Sequence, residues 1–347
     1  VAIGTVADIV PLLGENRVFV RNGLKALRTT DKSGLQQLMR VANLENGEIT
    51  PGKVAFQLGP RLNAAGRTEH ATYSVDLLTT QSQAEAGDLA QFLDRLNRGR
   101  RKLENEILAE AAAMIEKKFD RDRDYVLIAH SEGWHVGIVG IVASKILERY
   151  HRPVILLGVE DSIAKGSARS IEGFDIHHAL SRCSDHLLTF GGHKMAAGLK
   201  LPVDRIESFR EAINAIAREQ LTHENLQPRL LIDAEVSPNE LNDDLVAGIN
   251  QLEPFGASNP RPVLMMRNAR QIYAPRVVGT NHLKLKVECG GRNFDAIGFS
   301  MGETLNELLD TEQTTLDLAF SPMLSRWNGQ ENLELELKDL RFSGTPS

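Results

Sequence analysis

The spacing of apolar positions changes three times along the chain, and each change announces a different kind of element. Residues 1 to about 80 mix short apolar runs with helical stretches, and a helix is expected from around Asn16 through Leu27. Asp8 follows an apolar stretch that would end a strand at a carboxylate suited to a hard metal ion, and Asp8 itself reads more simply as a turn or helix cap. From about 83 to 119 there is no proline and only two glycines. Leu89, Phe92, Leu93, Leu96, Leu103, Ile107, Leu108, Ala111 and Ile115 recur there at helical spacing, which predicts one long helix with a bend at Gly99. Continuous apolar runs then alternate with helical patterns. Strands are expected at Tyr125–Ala129 and Pro153–Val159, with a further strand ending at Leu199–Leu201. Helices are expected at Gly137–Arg149, Phe174–Ser181 and Asp204–Gln220. Beyond about Leu230 the pattern shortens to strand-like runs at 230–232, 263–266, 282–287, 293–297, 316–320 and 333–337. Asn328-Gly329 supplies a hairpin turn, and the whole predicts a small β-barrel. The organisation is thus α/β and multidomain.

Composition narrows the picture little. With 347 residues, two or three domains are expected. The formal charge of -6 means that any nucleic-acid contact must use local basic patches on an acidic body. Cys183 and Cys289 lack metal-ligand spacing and read as reduced structural thiols in a cytoplasmic protein. No apolar run reaches membrane-spanning length. The chain opens with Val1-Ala2-Ile3-Gly4, which reads like the middle of a domain, so a larger parent with an N-terminal region is expected.

The densest chemical signal is Gly191-Gly192-His193-Lys194-Met195-Ala196-Ala197-Gly198. Adjacent glycines permit close backbone approach, and a turn with free N–H groups suits a phosphate. A plain tight turn between core elements has the same look. His135 follows Gly133-Trp134 in a similar setting. Ser167 and Arg169, two apart in an extended strand, would project a hydroxyl and a guanidinium to one face. Arg61, Asn63 and Arg67 surround small residues, which suits either phosphate contact or a salt-bridged loop. Arg98, Arg100, Arg101 and Lys102 lie in a basic run that is either a solvated helix paired to Glu104 and Glu106 or a wall of a DNA channel. Lys284, Lys286 and Arg292 accompany Tyr273, Phe294 and Phe299 in the β-rich part, where aromatics serve as core or as stacking platforms. Asp175 reads as a helix cap, with His177 and His178 on the helix it opens.

Five segments in order resemble the bacterial RecJ single-stranded-DNA exonucleases of the DHH phosphoesterase superfamily: Gly4–Asp8, Arg61–Arg67, Gly133–Ala143, Gly166–Ser170 and Gly191–Gly198. The segment Glu253–Pro260 resembles a RecJ stretch leading into an oligonucleotide-binding fold, with Ser258 where relatives often have glycine. Ala168 likewise stands where many relatives have glycine. The resemblance implies the end of a DHH domain (1–80), a long linker helix (81–120), a DHH-associated α/β domain (121–228) and an OB-like barrel (229–347). It implies a 5′→3′ exonuclease on single-stranded DNA, acting in repair and recombination, with a pair of manganese or magnesium ions. Asp8 corresponds to a ligand of that pair, but the family's Asp-x-Asp and Asp-His-His motifs are not in this chain, so the metal site is expected to be incomplete. Recognition of the 5′-phosphate is implied at Ser167 and Arg169. Arg61, Asn63, Arg67, His135, Gly191, Gly192 and His193 are implied to line the same cleft, and Arg98, Arg100, Arg101, Lys102, Lys284 and Lys286 to contact the strand. Expected partners are single-stranded DNA with a 5′ end, a single-strand-binding protein and a helicase, for a monomer with no membrane association. Two other readings stand beside this one: a superfamily enzyme acting on short oligonucleotides, and a non-catalytic DNA-binding or scaffold protein.

Overall fold

The structure is a computed structural model, and it describes residues 1–120, 123–309, 315–327 and 330–344. In chain order the helices are α1 (Ala2–Ala7), α2 (Gly14–Leu27), α3 (Ser33–Val41), α4 (Pro51–Lys53), α5 (Gly59–Thr68), α6 (Thr72–Thr79), α7 (Gln83–Lys118), α8 (Val136–Tyr150), α9 (Ile176–Arg182), α10 (Ile206–Gln220), α11 (Asp243–Asn250) and α12 (Thr304–Leu309). The strands are β1 (Leu127–Glu132), β2 (Val154–Glu160), β3 (Ile163–Arg169), β4 (Thr189–His193), β5 (Ala196–Pro202), β6 (Ala234–Glu235), β7 (Leu264–Gln271), β8 (Arg276–Val278), β9 (His282–Cys289), β10 (Arg292–Gly298), β11 (Thr315–Trp327) and β12 (Gln330–Phe342). Two compact units result: Leu27–Ile49 with Ala55–Pro228, and Val1–Ala26 with Thr50–Val54 and Arg229–Ser347.

In the first unit, α7 runs unbroken for 36 residues straight through Gly99, and Ser82 caps its start by accepting from the Glu85 N–H. A five-stranded sheet follows in the order β1-β2-β3-β5-β4, with β1 parallel to β2 and the remaining pairs antiparallel. Strand alternation divides its side chains between two cores. Ile155, Leu157, Ala164, Ala168, Leu199 and Leu201 pack on one face with α9 and α10. Val154, Leu156, Leu127 and Ala129 pack on the other with α7 and α8. Ala168 is fully buried in the first of these cores.

In the second unit, β7-β11-β12-β10-β9 form a sheet that closes on itself through a β7–β9 pairing, Arg270 opposite Glu288 and Gln271 opposite Val287. That is a five-stranded barrel, with β6 and β8 as short additions. Leu283, Leu285, Val287, Phe294, Phe320, Leu335 and Leu337 fill it. Ser258 has φ of 59°, in the left-handed region that glycine adopts most readily.

Several sequence expectations are corrected. The apolar stretch before Asp8 is a helix, because Ala2 and Thr5, three apart, are its buried positions; Asp8 is the C-cap. Leu230–Ile232 is not a strand; pairing starts only at Ala234, opposite Leu264. Arg61–Arg67 lies on α5, not in a loop. The glycine pair is not the turn but part of β4. The turn is Lys194-Met195, and His193 pairs with Ala196 across it. Gly192 has φ of 144°, and a Cβ there would lie 2.4 Å from the Ala196 oxygen, so only glycine fits this edge strand. The Asn328-Gly329 turn lies outside the described residues.

Candidate phosphate-binding face

Helix α8 and strand β3 meet at a glycine. A Cβ on Gly140 would sit 3.0 Å from Arg169 Nη2 and 3.1 Å from Ser167 Oγ, so the missing side chain lets the helix backbone settle onto both functional groups. One turn earlier, Gly137 does the same for α5, since its Cβ would lie 2.6 Å from the Arg67 carbonyl oxygen. Arg67 Nη1 in turn donates to the Gly137 oxygen at 3.1 Å. His135 is the N-cap of α8, and its Nδ1 accepts from the Gly137 N–H at 3.1 Å. Arg67, His135, Ser167 and Arg169 are therefore gathered around the first turns of one helix, where backbone N–H groups favour anions.

The sheet extends this site. Across the strands, Arg169 pairs with Ala196 and Ala196 with His193; Ser167 pairs with Gly198 and Gly198 with Gly191. Laterally paired residues share a face, so His193 and both glycines lie on the face that carries Arg169 and Ser167. One row further, Lys165 pairs with Lys200, adding two exposed cations to that face. Sequence reasoning missed both lysines. The signal was present in the Lys165-x-Ser167-x-Arg169 alternation, but only the β3–β5 register brings Lys200 beside it.

Charge on this face is uncompensated. Among the described residues neither Arg67 nor Arg169 has a carboxylate partner; Arg169 Nη1 donates only to the Ala168 oxygen, at 2.9 Å. Burial, followed by the nearby Arg67 charge, pulls the Arg169 guanidinium below its ordinary pKa. A positively charged group in that position is stabilised by an incoming anion.

Other expected site residues sit elsewhere. Arg61 is turned into the helical layer, where it pairs with Asp94 at 2.9 Å and donates to the Gln57 oxygen at 2.7 Å. Asn63 is exposed one helical turn from Arg67. The basic run of α7 splits by helix face. Arg100 is buried against Glu104, while Arg98 pairs with Asp94 at 2.5 Å and Lys102 lies 3.9 Å from Glu106. Arg101 is exposed with no carboxylate partner among the described residues. In the barrel, Lys284 pairs with Glu334, and Lys286 lies 3.9 Å from Asp295. Phe294 belongs to the core, whereas Tyr273 and Phe299 are 66% and 49% exposed. Asp175 caps α9, accepting from the His178 N–H at 2.9 Å, and the His177 ring packs near Phe190.

Asp8 is exposed at the end of α1. Among the described residues no three His, Cys, Asp or Glu side chains converge to hold a metal ion, and one carboxylate does not fix two ions. The residues at hand therefore do not make a metal pair. No helix among the described residues is long and apolar enough to cross a membrane.

Residues 123–219 match the DHHA1 domain and residues 232–339 the RecJ OB domain. The chain is 38% identical over 346 residues to the single-stranded-DNA-specific exonuclease RecJ of Bacillus subtilis, covering 99% of this chain and 43% of that protein. It is 35% identical to RecJ of Escherichia coli, covering 98% and 60%. The chain thus spans about half the length of the curated relatives it matches. The crystal structure of RecJ in complex with Mg2+ from Thermus thermophilus superposes with a TM-score of 0.83 at 29% identity, covering 100% of this chain and 52% of that one. The Mn2+ complex from the same organism gives 0.84 at 28% identity, covering 100% and 49%. By its two domain matches, by identity along nearly its whole length and by its fold, the chain is a homologue of the RecJ proteins.

Proposed function

We propose that this chain is the strand-gripping portion of a 5′→3′ single-stranded-DNA exonuclease acting in repair and recombination. The observation that carries this reading is the convergence of Arg67, Ser167 and Arg169 on the start of α8 with, among the described residues, no carboxylate partner for either arginine. A terminal phosphate is a compact dianion that two guanidiniums and a hydroxyl can surround at the positive end of a helix dipole. Arg169 and Ser167 grip the 5′-phosphate, Arg67 closes over it from α5, and His193 flanks it across the hairpin. The barrel by itself offers exposed aromatics on which bases of a single strand stack. Gripping the 5′ end sets the polarity of degradation. Arg61 and Arg100 have no direct role in this grip, because their charges are used inside the protein. The magnesium or manganese requirement, with Asp8 among the ligands, belongs to the whole enzyme, as do a single-strand-binding protein and a helicase as partners. Function as a cytoplasmic monomer is part of the same reading.

The test compares oligothymidylates with and without a 5′-phosphate. Arg169→Ala should weaken binding of the phosphorylated strand selectively, since losing a charge-assisted contact costs about 1.5–3 kcal/mol. Equal weakening of both strands would make Arg169 a general backbone contact and remove the polarity argument. Incubated with manganese and 5′-phosphorylated single strands, the chain should release no nucleotide beyond background. Release that vanishes in Asp8→Ala would mean that further ligands complete a metal site here.

A further inference from the structure

Behind the phosphate-binding face lies a buried ion cluster that the grip itself does not use. Glu104 on α7 accepts from Arg100 Nη1 at 2.5 Å and from Lys145 Nζ at 2.6 Å. Lys145 belongs to α8, the helix whose Gly137 and Gly140 back the arginines and Ser167. Arg100 Nη2 donates to Asn97 Oδ1 at 3.1 Å, while its Nε is buried with no hydrogen-bond partner. The Arg100 and Glu104 side chains are 9% and 6% exposed. An isolated structural ion pair does not need a third charge, and an orphaned buried donor is a cost. Here two cations, on α7 and α8, share one carboxylate, and the first turn of the same α8 packs on Arg67. The guanidinium of Arg100 is held below its ordinary pKa first by burial and then, against the attraction of Glu104, by Arg67 and Arg101. Arg67 acts in the same direction on Arg169. Arg67 is thus a charge that both Arg100 and Arg169 feel.

We infer that Arg100 is a positioning residue for the 5′-phosphate: held by Glu104 and Asn97, it keeps a fixed, desolvated positive charge behind Arg67, and Glu104 sets how much of that charge the site feels. This rests on the phosphate-grip reading. A buried charge acts through a low-dielectric path and so reaches a ligand it does not touch, whereas an exposed one is screened. Its effect should be largest on a dianionic terminal phosphate and small on a strand that ends in a hydroxyl.

The experiment measures one ratio in the full chain, the affinity for 5′-phosphorylated over 5′-hydroxyl oligothymidylate. Arg100→Gln should lower that ratio about three- to tenfold, and Arg100→Lys should restore most of it, because the charge rather than the fork is what acts. Glu104→Gln should move the ratio the opposite way, upward by a similar factor, although it removes the clamp between α7 and α8. Lys145→Gln, whose side chain is 41% exposed and tolerant of change, should lower it by a smaller amount. Opposite signs for the Arg100 and Glu104 variants are the signature of electrostatic positioning. If Glu104→Gln and Arg100→Gln lower the ratio together, the cluster is only a clamp and the inference fails. An unchanged ratio in Arg100→Gln overturns it as well. Should the unmodified chain show no preference for the phosphate, the grip reading itself fails, and the two failures are thereby distinct.

Discussion

The open half of the α/β sheet and the outer face of the barrel both place cations at alternate strand positions, Lys165 and Arg169 in one, Lys284 and Lys286 in the other. In the barrel each is met by a carboxylate of the same sheet, Lys284 by Glu334 on β12, across β10, and Lys286 by Asp295 on the adjacent β10, and the pattern continues with Arg270 to Glu288 at 3.2 Å. Such pairs stabilise a sheet modestly. On the α/β face Lys165 and Lys200 stand side by side, with Arg169 two rows further along β3, and none of the three has a carboxylate partner among the described residues. Like charges left together oppose the fold in the absence of a ligand, so this face is organised for something that brings negative charge. The barrel face is organised first for itself. Within one chain, basic residues on strand faces serve two purposes, and the carboxylates that do or do not meet them decide which.

The comparison can be broken most severely by filling a glycine that the α/β sheet requires. A Cβ on Gly166 would lie 1.8 Å from the Leu156 oxygen in the adjacent strand. Gly166→Ala should therefore cost about 3 kcal/mol or more in thermal or urea unfolding, as overpacking against backbone does. Wild-type stability in that variant would mean that the close approach of β2 and β3 is not required. Next in size is removal of the bare lysines. Lys165→Gln with Lys200→Gln should weaken single-strand binding roughly tenfold at low salt and flatten its log–log salt slope by about one to two. Titrations at several salt concentrations check this, and an unchanged slope would place the strand elsewhere. Alanine at Tyr273 and Phe299, the exposed barrel aromatics, should cost about 1–3 kcal/mol for each base that loses its stacking partner, with little change in slope. The smallest effect is expected from Lys284→Gln with Lys286→Gln, less than about twofold in affinity, because their charges are already matched by carboxylates. If this pair outweighs Lys165 and Lys200 in the same titration, the contrast between the two faces is inverted.

Much of the architecture could be read from local pattern. The 36 residues of α7 carry a helical period without proline, and Val154–Glu160 is a continuous apolar run flanked by turns. Ser167 and Arg169 could be placed on one face because strand alternation is a local rule. What could not be read depended on non-local neighbours. The faces of Arg61 and Arg100 are set by which side of α5 or α7 meets the rest of the unit, and nothing near them in sequence states that. Asn63-Ala64-Ala65-Gly66 has loop-like composition but closes a helix because Ala64 and Ala65 are fully buried. The Gly191-Gly192 pair looked like a turn because glycine permits one; the register with Ala197 and Gly198 shows that its freedom is used for strand approach instead. Phe294 and Phe299, five residues apart, have opposite fates because one faces the barrel interior and the other lies just past the end of β10.

The row Gly191–Gly198–Ser167 has a consequence for information rather than for affinity. Two of its three members present only backbone, and the third a small hydroxyl. Bases are told apart by side chains that match particular donor and acceptor patterns on their edges. A strand laid along this row would meet peptide groups and Cα hydrogens that are the same for every nucleotide. The absence of side chains is thus a way of reading nothing: a chain laid on this face by its sugar–phosphate repeat would be held without regard to its letters.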